Sequence, residues 1–315
     1  MKLWRKTWTV CVLLAALGLA TLSATAIFRS DAWIADLIES FRPHLLVAAA
    51  MCLPLGLTVR GSWRTALVAI FVACVVANSA TIIRTVRAAT PPPQEARGGI
   101  RLTVVTTNLL WSNTQHQRFR DWLHAEAPDI VVTQETTRRW AAELDKLDPL
   151  LPYRRLPGHG DDLAILSRYP FEMAELAGIR QHGTLAMARL SVGHRRIDLM
   201  ALHASVPIHP AWQKARDTMF DDIARFAWRT RHPLIVAGDF NATPWNRSMR
   251  RLVRESPLRH APGFWRPTWT AYAPNWMGIP IDHVLAATDC RVIDRRVGPD
   301  IGSDHRPVIA TVDCL

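Results

Sequence analysis

Three stretches of 17 or more residues carry no Asp, Glu, Lys or Arg: residues 7–28, 43–59 and 65–83. No other feature limits the fold as tightly. A hydrocarbon core of ~30 Å takes about 20 apolar residues as a helix, within a range of roughly 17–25. The first and third runs fit that length, while the second is short and contains Pro54, which interrupts helical hydrogen bonding. The expectation is a membrane region over residues 1–88 with about three transmembrane helices. Lys and Arg are enriched in short cytoplasmic loops. Lys2, Arg5 and Lys6 precede the first run, and Arg60 and Arg64 separate the second from the third. This bias puts the N-terminus inside and everything after Thr85 outside the cytoplasm. The implied location is a bacterial inner membrane, multi-pass, with an extracytoplasmic domain. Lys2–Lys6, Val10–Ala20 and Ala24-Thr25-Ala26 also fit a cleavable secretory signal. The two remaining spans would then leave the C-terminal region on the same side.

The net charge of +11 divides unevenly. Residues 1–90 hold nine basic and three acidic side chains, and the rest hold 29 and 24. The C-terminal part is therefore only mildly basic, short of a general nucleic-acid footprint. Thr90 to Gly99 begins with three prolines and ends in two glycines, so residues 89–99 read as a linker.

From residue 100 the pattern changes to short apolar runs broken by turns. Ile100–Asn108, Asp129–Thr133, Leu163–Leu166, Leu185–Ser191, Arg196–His203, Leu234–Ala237, Ile281–Ala286 and Arg306–Val312 read as strands. Gln117–Glu126 and Ala211–Thr230 read as helices. Asn108, Glu135, His203 and Asp239 with Asn241 stand at the downstream ends of strand runs; Asp282 and Asp304-His305 stand at the starts of others. If neighbouring strands run antiparallel, starts and ends meet at one edge. Each position alone suits a polar turn, but a set made only of Asn, Glu, His and Asp is hard to assign to turns. Carboxylates with amides suit Mg²⁺ or Mn²⁺ rather than zinc. With histidines for proton transfer, the set favours metal-assisted hydrolysis of a phosphate ester. No Walker-type phosphate loop is present.

Two further readings stay open. Cys290 and Cys314 each lie twelve residues from Gly302, so a hairpin centred there would set them opposite each other as a disulfide or as two buried thiols. Arg247, Arg250, Arg251 and Arg254 share one helical face, either a solvated stripe or a surface for acidic headgroups.

TTNLLW, TQET, ALHASVP, GDFNATPWN, IPIDHVL and GSDHRPV occur in that order. Together they resemble the endonuclease/exonuclease/phosphatase superfamily, which includes DNase I, inositol-phosphate 5-phosphatases and neutral sphingomyelinases. Membrane spans ahead of such a domain resemble its bacterial membrane-anchored branch (YafD-like and VanJ-like proteins). The resemblance covers residues 100–315 and implies a four-layer α/β/β/α sandwich with the site at one edge. It also implies residue roles. Asn108 and Glu135 form the metal-end pair, with Glu135 the direct ligand, and Asp304 is a further metal-side carboxylate. Asp239 handles the attacking water and Asn241 accompanies it on the phosphate. Asp282 orients His305 on the scissile phosphate, and His203 is the candidate general acid. The implied substrate is a phosphate ester, with a lipid-linked phosphate favoured by the membrane tether. Nucleic acid is the alternative substrate, and a non-catalytic membrane scaffold is the third reading. No protein partner is inferred.

Overall fold

The computed structural model describes residues 2–28, 32–89, 99–158, 161–174, 184–287 and 289–315. It divides into two compact units: Met1–Ala88 with Trp245–Arg247, and Ala89–Pro244 with Ser248–Leu315.

The first unit is helical: α1 (Lys2–Ala24), α2 (Trp33–Ser40), α3 (Arg42–Thr58) and α4 (Trp63–Ala89). α1 and α4 are long and apolar enough to cross a membrane. α2 and α3 meet at a 69° bend and make a third crossing only if taken as one broken span. α3 retains Pro54 inside it. Val12, Ala16, Val59, Leu67 and Phe71 form its small core. Beside that core the buried Arg42 donates to Asn78 Oδ1 (3.1 Å) and Thr25 Oγ1 (2.7 Å), and Asn78 Nδ2 donates to Ser23 Oγ (2.8 Å). A guanidinium removed from water persists only when partnered in this way.

The second unit contains β1 (Ile100–Asn108), α5 (His116–Glu126), β2 (Ile130–Gln134), α6 (Arg138–Leu144), β3 (Tyr153–Arg155), β4 (Ala164–Ser167), β5 (Phe171–Met173), β6 (Thr184–Val192), β7 (Arg195–His203), α7 (Pro210–Arg229), β8 (Leu234–Asp239), α8 (Arg247–Arg254), β9 (Arg259–His260), β10 (Asp282–Ala287), β11 (Cys290–Val297) and β12 (Val308–Cys314). They form two six-stranded sheets, ordered β11-β12-β1-β2-β4-β3 and β5-β6-β7-β8-β10-β9. Strand alternation divides the apolar residues. Leu102, Val104, Ile130, Ala186, Ile197, Ile235 and Val284 fill the layer between the sheets. Val105 and Val131 face outward onto Phe119 and Leu123 of α5 and Trp140 of α6. Met200 and Leu202 face outward onto Met219, Phe220 and Ile223 of α7 and Met249 and Leu252 of α8. The result is the four-layer sandwich, helices outside and two sheets within.

Antiparallel neighbours bring strand starts to strand ends as expected at β8–β10 and β1–β12, and parallel pairing adds a second way of gathering the ends. β1 runs parallel to β2, and β7 parallel to β8. A parallel pair needs a crossover, and α5 and α7 supply one each. Parallel strands gather their downstream ends at one edge, while β10 and β12 run antiparallel and bring their starts to it. β11 and β12 pair antiparallel with Cys290 opposite Cys314, and the two cysteines form a disulfide. On α8 the arginine stripe meets acids of its own chain: Arg251 pairs with Asp221 of α7 at 2.6 Å and Arg254 with Glu255 at 2.8 Å. The stripe is not a free basic face.

Candidate active site

Backbone register builds the centre. His203 and Asp282 both lie opposite Asp239, one on each neighbouring strand. The close approach depends on Gly238. It has φ +155°, and a Cβ there would stand 2.0 Å from the Leu202 carbonyl oxygen, so no other residue fits. Asp239 is buried, and its Oδ1 accepts from the Asn241 N–H at 2.9 Å. Three nitrogens converge on Oδ2: Asn108 Nδ2 at 3.3 Å, His203 Nε2 at 3.8 Å and His305 Nε2 at 3.8 Å.

Each histidine is held by its own carboxylate. His305 Nδ1 meets Asp282 Oδ2 at 2.9 Å, and His203 Nδ1 meets Asp162 Oδ2 at 2.5 Å. Both Nε2 atoms therefore point at the same oxygen from two sides. Burial pulls His305 down, but the charge and hydrogen bond of Asp282, with the charges of Asp239 and Asp304, push it up to about 9. Burial opposes His203 too, yet the Asp162 hydrogen bond and the Asp239 charge push it up to about 9. Burial and the neighbouring Asp282 charge raise Asp239 to about 6. Burial works against Asp282 as well, but His305 holds its carboxyl below the usual range. Two imidazolium groups thus face a carboxylate that remains mostly ionised at neutral pH.

A second patch of oxygens lies alongside. Asn108 Nδ2 also donates to Glu135 Oε1 (2.9 Å), and Glu135 Oε2 accepts from the Trp111 N–H (2.9 Å). Asn108 Oδ1 accepts from the Leu110 N–H, so this amide bridges Glu135 and Asp239. Glu135 and Asn241 have positive φ, +54° and +46°, a conformation that costs a non-glycine residue about 1–3 kcal/mol. Such strain persists where surrounding bonds enforce it. Asn241 is pinned by Nδ2 to the Ala204 carbonyl (2.8 Å) and through its own carbonyl to the buried Arg216 (3.0 Å). Gly302, at φ +87°, makes the turn before Ser303, where a Cβ would stand 2.5 Å from Gln115 Cγ. Ser303 Oγ donates to the Asn108 carbonyl (2.8 Å) and accepts from the His305 N–H (3.0 Å). Asp304 Oδ2 accepts from Trp269 Nε1 (2.8 Å). Its Oδ1 is buried with no hydrogen-bond partner among the described residues.

Asp239, Asp282, His203, His305 and Asn108 come together, with Glu135 joined through Asn108. Asn241 reaches Asp239 through its backbone only, and its side-chain nitrogen is taken by Ala204. The sequence reading missed Asp162. Its signal was the one that marked Asp282: an acid directly before an apolar strand run, here Asp162-Leu163-Ala164-Ile165. Arg306 pairs with Asp300 at 3.3 Å, and His283 points away from the site, its Nε2 on the Ala242 carbonyl at 3.0 Å. Asp239, Asp282 and His305 also offer atoms within 4.8 Å of one another, close enough to hold a cation. The hydrogen bond between Asp282 and a charged imidazole competes with that use.

No curated protein matches the chain. Among solved structures it is similar to D. rerio TDP2 complexed with single-strand DNA product (14% identity, 68% of this chain and 99% of that one, TM-score 0.55). It is similar to beta toxin from Staphylococcus aureus with bound magnesium ions (15%, 67% and 99%, TM-score 0.51). It is also similar to an endonuclease/exonuclease/phosphatase from Beutenbergia cavernae (20%, 68% and 72%, TM-score 0.53). At these identities the likeness is one of fold. The family model of the Endonuclease/Exonuclease/phosphatase family matches residues 105–305, a span running from inside β1 to His305. With Asn108, Glu135, His203, Asp239, Asp282 and His305 all in that span, the chain belongs to the endonuclease/exonuclease/phosphatase family, whose members are phosphoesterases.

Proposed function

We propose that this protein is a membrane-anchored, divalent-metal-dependent hydrolase of phosphate esters, with its domain outside the cytoplasm and lipid-linked phosphates as substrates. The observation that carries the reading is the convergence of two carboxylate-held imidazoles and an amide on one oxygen of Asp239. In this reading Asp239 Oδ2 orients the attacking water and takes its proton. The His305 Nε2–H, its imidazole held by Asp282, donates to a non-bridging phosphate oxygen. The His203 Nε2–H donates to the departing oxygen as the P–O bond breaks. Asn108 keeps Glu135 and Asp239 apart and oriented, and Asn241 holds the turn after Asp239.

The donors suit Mg²⁺ or Mn²⁺: the Glu135 carboxylate and the unpartnered Asp304 Oδ1 are hard oxygens. Glu135 and Asp304 would hold the cation, with Asn108 at the same end. The cation supplies positive charge to the phosphoryl oxygens and the leaving oxygen.

Three observations support the location. α1 and α4 have membrane length. The Cys290–Cys314 disulfide suits an oxidising compartment. The connection from Ala89 to Ile100 can span at most about 40 Å, which keeps the domain near a bilayer. Purified full-length protein with Mg²⁺ or Mn²⁺ tests the reaction on bis-p-nitrophenyl phosphate, phospholipids, polyprenyl pyrophosphate and plasmid DNA. Hydrolysis of the lipid-linked phosphates is the expected result. Cleavage of plasmid DNA alone would make the protein a nuclease. Metal-independent turnover would remove the reading. Alkaline phosphatase fused after Leu315 should be active, and an inactive fusion beside an active cytoplasmic reporter would reverse the orientation.

A further inference from the structure

Three uncharged segments border the Asp239 centre. Residues 106–117 lead out of β1, residues 204–213 follow His203, and residues 267–281 precede Asp282. None contains Asp, Glu, Lys or Arg. Of their large apolar side chains, Leu109, Ile279 and Ile281 are buried, but others are turned to solvent: Trp111 is 70% exposed, Tyr272 72% and Trp276 77%, with Ile208, Trp212 and Met277 also exposed. Each segment is anchored to the site. The Trp111 N–H donates to Glu135 Oε2. Ala204, at the head of the second segment, donates its N–H to the Asp239 carbonyl at 2.9 Å. The third is a loop closed by paired hydrogen bonds between Trp269 and Ile279 and hung on Asp304 through Trp269 Nε1 and the Thr270 N–H. The apolar tips therefore stand around the mouth of the catalytic edge, held by the residues that build it.

Scattered single apolar residues on a surface are ordinary, but this many large ones on segments anchored to one sheet edge mark a contact surface. Two partners would use aromatic side chains here. Single-stranded nucleic acid stacks its bases on them, but its backbone also needs Lys and Arg close by. The three segments hold none; Arg118, Lys214 and Arg266 flank them singly, a sparse set beside the aromatic side chains. A bilayer interface takes Trp and Tyr at the headgroup level and accepts aliphatic tips beside them, with no charge required. The same chain also carries two helices of membrane length.

We propose that the rim formed by Trp111, Ile208, Trp212, Tyr272, Trp276 and Met277 docks on the phospholipid bilayer interface. The catalytic edge then opens onto the headgroup layer, and its substrate enters from the membrane rather than from solution. The proposal deepens the phosphoester-hydrolase reading and rests on it for what is delivered. The docking itself is read without any turnover.

The test uses the full chain in nanodiscs of phosphatidylcholine and phosphatidylglycerol, with Cys11, Cys52 and Cys74 replaced by alanine. An environment-sensitive dye is attached at Tyr272→Cys or Trp276→Cys. The control is His194→Cys, in the turn between β6 and β7, the length of β7 (roughly 30 Å) from the site edge. Expected is blue-shifted emission at 272 and 276, quenched several-fold more strongly by spin-labelled lipid than at 194. Emission at 272 and 276 equal to that at 194 overturns the proposal. So does a response at these positions to single-stranded DNA but not to lipid, which would make the rim a base-stacking surface. A second arm keeps all native cysteines and compares the Tyr272→Ser/Trp276→Ser double variant with the parent. Its kcat/KM should fall at least tenfold on a bilayer-embedded phosphodiester and stay unchanged on bis-p-nitrophenyl phosphate. Equal losses on both, or no loss on either, count against docking. Absent lipid quenching with hydrolysis intact defeats the docking alone, and quenching without hydrolysis of any ester defeats the reaction reading alone.

Discussion

Asp162→Asn should move the alkaline limb of the activity profile more than it changes the fold. Asp162 meets the site chiefly through His203, its carboxylate lying 2.5 Å from His203 Nδ1, and it also accepts from Thr184 and from the Glu135 N–H. The His203 contact, after the opposing effect of burial, is the largest of the influences raising His203 to about 9. A group that must be protonated to act loses activity as pH rises through its pKa. At pH 7.5 a histidine of pKa about 9 is almost fully protonated, whereas one near its ordinary value of about 6.5 is roughly one-tenth protonated. If the variant returns His203 only to that ordinary value, kcat at pH 7.5 falls about tenfold relative to the parent, and the ratio returns toward one below pH 6, where both lose activity as Asp239 protonates. A substrate whose leaving group needs no protonation, such as p-nitrophenolate, should lose far less than an alkyl ester. The assay is a pH profile of kcat on both esters for parent and variant, with thermal unfolding to confirm the fold. A uniform loss at every pH, or an unmoved alkaline limb, would refute the claim that Asp162 acts through the charge on His203.

Asp239→Ala, Glu135→Ala and His305→Ala should each lower kcat by about 10²–10⁴, the range for a lost acid, base or charge stabiliser, while the chain stays folded at the assay temperature; a folded Asp239→Ala with near-parental turnover would end the site assignment. Replacing Cys290 and Cys314 by alanine opens a loop of sequence separation 24, worth about 3 kcal/mol in the chain-entropy model, so denaturation should show a loss of that order that reductant reproduces in the parent. The stability contributed by two buried histidines should decline as pH falls from about 6.5 toward 4, opposed below about 6 by Asp239, whose raised pKa makes the folded chain take up that proton first. Burial and the charge of Arg295 hold His283 down to about 4, and burial with the charges of His283 and Arg295 also depresses His260, so the unfolded chain binds these protons first. The His283 share is about 3 kcal/mol, present above pH 6.5 and gone below 4, and His283→Gln should flatten the curve of unfolding midpoint against pH.

Periodicity and punctuation are local properties, and they were legible. The strand runs at Ile100–Asn108 and Arg196–His203 and the α7 pattern match the observed elements within a residue or two. β3, β5 and β9 were not seen, because two or three residues carry too little alternation to separate a strand from a turn. The uncharged runs foretold α1 and α4, although α1 ends at Ala24 rather than continuing to residue 28. The polar strand ends announced Asn108, Glu135, His203, Asp239, Asn241, Asp282, Asp304 and His305 as a set, of which the Asn241 side chain turns to the Ala204 carbonyl and Asp304 to Trp269.

Partnership is a property of space, and the tertiary structure decided it. Nothing local tells that Asp162 serves His203 across 41 residues, since Asp161 and Asp162 look alike in the chain and only the second meets the imidazole. Asp161 instead pairs with Arg155. The arginines of α8 looked unpartnered until α7 brought Asp221 beside Arg251. Cys290 and Cys314 stood at equal distances from Gly302 whether or not they bonded, and the β11–β12 register joined them. The hub at Asp239 Oδ2 needed two parallel crossovers and one antiparallel neighbour to arrive at a single edge. Residue type and spacing determine which groups can do chemistry, because they act through the backbone's own period. Which of those groups meet is determined by the packing of two sheets and their crossovers, where contacts join residues the sequence holds far apart.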